Sequence, residues 1–162
     1  IMIGGLGTMA PERREEITTE GGLDAVLNSV QIRPMVKTLQ DAGIEVSLFV
    51  DPELEQVKEA HKLDAHAVEL NTAAWSEAAN SRAREMALRK LTDAARLGRK
   101  LGLGVHAGHG LDYQNVGPIA AMSELSELNI GHAIVARAVL VGMERAVREM
   151  AEAMRVGRSH RV

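Results

Sequence analysis

A carboxylate inside an apolar run, three histidines close to strand ends and the glycines beside them are the residues of this 162-residue chain with the types and spacing for chemistry. Glu69 stands in Ala67-Val68-Glu69-Leu70-Asn71. Burial there without a partner raises a carboxyl pKa and costs free energy, so the position calls for either a structural ion pair or acid–base work. His106 and His109 flank Gly108 at the end of one run, and His132 follows Gly131 near the end of another. Imidazoles so placed suit proton transfer, metal ligation or a plain backbone hydrogen bond. A metal-dependent hydrolase built from His106, His109, His132 and Glu69 is one arrangement open at this level, although His-x-x-His on a strand and turn is not the helical His-Glu-x-x-His of zinc peptidases. Gly108, Gly110 and Gly131 allow close backbone approach to a ligand and can present N–H groups to a phosphate; they would serve equally well as turn residues. The chain shows no P-loop, no Gly-x-Gly-x-x-Gly fingerprint and no Gly-x-Ser-x-Gly elbow.

Composition narrows the classes further. The chain has no cysteine, which removes disulfide scaffolds, thiolate nucleophiles and cysteine metal sites, and the cytoplasm is the expected compartment. A formal net charge of −3 offers no basic field for nucleic acid or anionic membrane, and three aromatic residues, Phe49, Trp75 and Tyr113, provide no base-stacking platform. No apolar run approaches the roughly 18 residues of a membrane span. Partners are therefore expected to be small molecules, with no nucleic acid and no membrane.

The elements that must position these groups alternate along the chain. A helical pattern begins near Asp24 with Leu27, Val30, Val36 and Leu39 as its buried stripe; Pro34 marks the start of its main part and Gly43 its end. A strand follows over 45–50, then Asp51 as N-cap with Pro52 at the first helical position of a helix reaching about Leu63. A strand over 65–71 precedes one long helix from about Ser76 to Leu101. A strand from Gly104 runs into the glycine turn at Gly110, a helix spans 116–125, and a last strand spans 127–135. The closing helix, about Arg137 to Arg155, is expected to bury Val139, Met143, Val147, Met150 and Met154, with 157–162 as a frayed tail. Such alternation predicts an α/β class with parallel strands joined by right-handed crossovers in a single domain, with a possible further strand in residues 1–9.

Three segments together resemble the pyridoxine 5'-phosphate synthase family: Pro11-Glu12-Arg13-Arg14-Glu15-Glu16-Ile17-Thr18-Thr19-Glu20-Gly21-Gly22-Leu23-Asp24, Ala107-Gly108-His109-Gly110-Leu111 and Glu127-Leu128-Asn129-Ile130-Gly131-His132-Ala133-Ile134. Ala42 to Asp51 is in register as well. The resemblance implies a (β/α)8 barrel enzyme of transferase type that condenses 3-amino-2-oxopropyl phosphate with 1-deoxy-D-xylulose 5-phosphate. Pyridoxine 5'-phosphate, phosphate and water are released, with neither metal nor organic cofactor. It implies His109 as proton donor, Glu69 as the carboxylate that stabilises the transition state, and Thr18, Gly110, Gly131 and His132 as substrate contacts. Asn71 stands where relatives often carry histidine.

On the same resemblance the chain matches strands four or five through eight of a partial TIM barrel, with residues 1–10 matching poorly and the bases of the first three strands lying outside it. A partial barrel leaves two strand edges and an apolar interior uncovered, so the isolated chain is expected to self-associate and not to turn over. A complete relative is expected to be a homo-oligomer. A phosphate-binding piece without catalysis is the alternative of a different class.

Overall fold

The computed structural model of the chain describes residues 6–11 and 21–159. Among these residues five strands, β1 (Leu6–Met9), β2 (Glu45–Val50), β3 (Ala67–Asn71), β4 (Gly104–Gly108) and β5 (Glu127–Asn129), form one sheet in sequential order, every neighbouring pair parallel. Among the described residues seven helices stand between and after them: α1 (Ser29–Asp41), α2 (Leu54–Lys62), α3 (Ala73–Ser76), α4 (Ser81–Lys100), α5 (Val116–Ala120), α6 (His132–Val141) and α7 (Met143–Ser159). A parallel neighbour cannot be reached by a tight turn, and the helices provide the crossovers.

The pleat divides the sheet into two chemistries. Val46, Leu48 and Val50 of β2, Val68 and Leu70 of β3, and Val105 and Ala107 of β4 join Val57, Ala60, Leu91 and Ala94 from α2 and α4 in the buried apolar cluster. Alternate residues lie on the other side, and the register sets Phe49, Glu69, His106 and Glu127 in one row across four strands. Among the described residues no helix is long and apolar enough to cross a membrane.

Several elements depart from the sequence expectation. Pro34 lies inside a continuous α1, not at its start, and the buried stripe is Ile32 and Val36, leaving Leu27 and Val30 exposed. Asp51 does not cap α2, whose N-cap is Glu53; its carboxylate is taken by the Asn71 side-chain amide at 2.9 Å and the Gly22 N–H at 3.2 Å. The helix expected from about Ser76 starts instead at Ser81: Ser76 closes the short α3, and the Asn80 side chain accepts from Ala83 N at 2.9 Å and opens α4. Helix α5 ends at Ala120 rather than near Leu125.

The largest correction concerns 127–155. Strand β5 stops at Asn129, and Ala133–Val135 are helical: a short apolar run reads alike as strand or buried helix from periodicity alone. The closing helix is two helices separated by Gly142, whose φ is 86°. Met150 is buried as expected, with Ala146 beside it, whereas Val139, Met143 and Val147 are exposed and Met154 is half-buried. Helix α7 continues through Gly157 to Ser159.

Candidate active site

The carboxyl ends of the strands open onto one cavity of about 950 Å³, lined among others by Phe49, Glu69, His109, Gly110, Asn129, Gly131 and His132. Five of the six sequence-derived site residues thus meet in one hollow. The sixth, Thr18, lies outside the described residues.

Glu69 is 8% exposed and points toward the end of β4. A Cβ built on Gly108 would stand 2.6 Å from its Oε1 and 2.8 Å from the Asn129 carbonyl oxygen, so the absence of a side chain at Gly108 makes the space for the carboxylate. Burial pushes the Glu69 carboxyl above its ordinary value. The Asn129 side chain, by hydrogen bonding, and the nearby His106 and His109 oppose that rise, while Glu127 adds to it. The result is a carboxyl able to hold or release a proton nearer neutrality than an exposed one.

His109 follows β4 with φ of 80°, an uncommon conformation for a residue with a side chain, and Gly110 follows at 73°. The consecutive positive φ values turn the chain sharply at the rim. The His109 ring lies 6.3 Å from that of Phe49, tilted by 45°. His106, further down the same strand and 7% exposed, has its Nδ1 buried without a hydrogen-bond partner among the described residues. It stands beside Glu69 in the register and is absent from the cavity wall.

Gly131 is the N-cap of α6, and among the described residues no side chain caps that helix. The first amides of a helix have no carbonyl within it to donate to, so the turn formed by Gly131, His132 and Ala133 offers N–H groups and the positive end of the helix dipole to the cavity. Two carboxylates, Glu77 and Asp112, stand at the same rim.

The four-donor metal arrangement is not realised. Among the described residues no group of three or more His, Asp or Glu side chains is placed to hold a metal ion.

Sequence reasoning missed Phe49 and Asn129. Asn129 was findable, since it lies two residues beyond Glu127 on a strand with period two; Phe49 required the register that brings it beside Glu69.

The structure is similar in fold to a chain of the Amycolatopsis orientalis BexX/CysO complex, with TM-score 0.53 and 18% identity over 80% of this chain and 49% of that one. It is also similar to the tryptophan synthase A-subunit of Pyrococcus furiosus, with TM-score 0.52 and 15% identity over 95% and 55%. In sequence it is 53% identical over 143 residues to the pyridoxine 5'-phosphate synthase of Syntrophotalea carbinolica, covering 88% of this chain and 60% of that protein. With the enzyme of the same name from Magnetococcus marinus it shares 54% over 147 residues, covering 91% and 60%. The chain therefore spans about 60% of the length of these relatives. The model of the pyridoxal phosphate biosynthesis protein PdxJ family matches residues 6–156, nearly the whole of the described fold and all of the cavity wall from Thr8 to Ala133. With that match and half of all aligned residues shared with its members, the chain belongs to the PdxJ family.

Proposed function

We propose that this chain carries the proton-donating and phosphate-binding side of a pyridoxine 5'-phosphate synthase, which joins 3-amino-2-oxopropyl phosphate to 1-deoxy-D-xylulose 5-phosphate in vitamin B6 biosynthesis. The observation that carries the reading is the meeting of Glu69, His109 and the uncapped N-terminus of α6 in one cavity. Ring closure expels phosphate and water, and both departures need a proton delivered to oxygen. His109 is the donor; Glu69, buried beside it, stabilises the cationic imidazolium and the positive charge that develops on the condensing amine. The amides of Gly131, His132 and Ala133 hold a substrate phosphate, and Gly110, beyond the neighbouring strand, admits the amino-ketone phosphate. Thr18 contacts the deoxyxylulose phosphate. The five strands correspond to the fourth through eighth of a (β/α)8 barrel, in keeping with fold matches that span about half of each solved neighbour. The working enzyme is a homo-oligomer of the cytoplasm.

The test is a chimera in which this chain replaces the matching part of the Syntrophotalea carbinolica enzyme. It should form pyridoxine 5'-phosphate, and His109→Asn should lower kcat by roughly 10²–10⁴-fold with little change in KM. A folded chimera whose turnover is untouched by His109→Asn would overturn the assignment.

A further inference from the structure

Thr72 follows β3 directly and is wholly buried. Its backbone N–H donates to the Gly108 carbonyl at 2.9 Å. Its hydroxyl reaches the same carbonyl at 2.9 Å and also the carbonyl of His109, one proton shared between two acceptors on the neighbouring strand end. Those carbonyls bracket the peptide that carries His109 at φ of 80°, where an L side chain crowds its own backbone. The turn is held from its other end too. The Asn115 side-chain amide donates to the Gly110 carbonyl at 2.9 Å, and Ser76 Oγ occupies the place a Cβ on Gly110 would take.

A residue left in such a conformation relaxes unless its surroundings over-determine it. Returning φ to negative values would swing the Cα–Cβ bond of His109 away from Phe49 and the cavity. Thr72 is the buried side chain that bonds the His109 carbonyl itself, and a hydroxyl is the chemistry required: valine has the same shape and no proton to give.

We propose that Thr72 is a positioning residue whose hydroxyl locks the His109 peptide in its left-handed conformation and so aims the imidazole into the cavity. The importance of that aim rests on the reading of His109 as proton donor; the lock itself does not.

Thermal melting of this chain separates the two. At an ordinary position glycine is less stable than alanine, whereas here the His109→Gly chain should melt above the His109→Ala chain by about 2–5 °C, since only glycine adopts this φ without crowding. Adding Thr72→Val should close that gap, because the turn is then able to relax in the alanine variant, and Thr72→Ser should preserve it. A Thr72 that merely adds stability would lower both variants equally and leave the gap unchanged, and that result overturns the proposal. In the chain with His109 intact, nuclear Overhauser contacts between the Phe49 and His109 rings should survive Thr72→Ser and vanish with Thr72→Val; their survival in both overturns it as well. Should the melting gap behave as expected while His109→Asn leaves turnover of the chimera untouched, the lock stands and the role of His109 as acid falls. The reverse outcome removes Thr72 and leaves the acid in place.

Discussion

Among single residues, Glu69, His109, Gly110, Gly131 and His132 were legible in the sequence as a candidate group, and they line one cavity. Glu69 announces itself because a carboxylate in an apolar strand has to be accounted for, and His109 and Gly131 because glycine beside a polar residue at a strand end marks backbone near a ligand. Thr72 and Phe49 gave no such sign, since their roles depend on which strand lies beside which. The raised pKa of Glu69 has a stability consequence with a definite sign. The folded chain binds that proton more tightly than the unfolded chain, so the contribution of Glu69 is fully present below the ordinary carboxyl range and is lost as pH rises through its raised value. Glu69→Gln should therefore melt higher than the unsubstituted chain at pH 8, with the two curves converging by about pH 4. A substitution at Gly108 acts on the same carboxylate by contact. Gly108→Ala puts a methyl group 2.6 Å from Glu69 Oε1 and should destabilise the fold by about 1–3 kcal/mol in denaturant titrations.

For the secondary-structure elements, the alternation of strand and helix was readable because its period changes between two and 3.6, and β2 and β3 stand where their β-branched and apolar runs predicted. Their ends were less so. Asp51 followed by Pro52 spells a helix start, yet the carboxylate is spent on Asn71 and Gly22, a tertiary use invisible in a linear pattern. Helices α6 and α7 form the element pair with the clearest electrostatic tie: Glu149 of α7 accepts from Arg137 of α6 at 2.8 Å and from Arg145 of its own helix at 2.8 Å. The two guanidinium groups pull the Glu149 carboxyl down to about 2. This lowered value stabilises the pairing above the ordinary carboxyl range and gives it up as pH falls toward 2. Amide exchange in α6 should accelerate in Glu149→Gln at neutral pH, an effect that shrinks in high salt because the pair is only half-buried. Packing of α7 on α5 is tighter still. A Cβ on Gly157 would lie 2.5 Å from the Gly117 carbonyl oxygen, so Gly157→Ala should part the two helices and lower stability by about 1–3 kcal/mol.

For the whole molecule, the candidate site residues among those described stand on one sheet face and one rim, while the opposite face is sealed under helices. Among the described residues the edge strands β1 and β5 each have a single neighbour, and α6 leaves Val139 and Leu140 at 81% and 79% exposure. Open parallel edges beside an apolar helix face favour association. Sedimentation of this chain should show species larger than a monomer that grow with concentration, and Val139→Lys with Leu140→Lys should shift them to smaller size. A compact monomer at every concentration would count against this.

On the proposed function, a phosphate group docks at the N-terminus of α6 within reach of Glu69 and His109. Titrating inorganic phosphate into the uniformly ¹⁵N-labelled chain tests that most directly. Saturable amide shifts centred on Gly131, His132 and Ala133, with smaller ones at His109 and Gly110, are the predicted result. Saturable shifts confined to residues away from this cavity, or none at all, would contradict it.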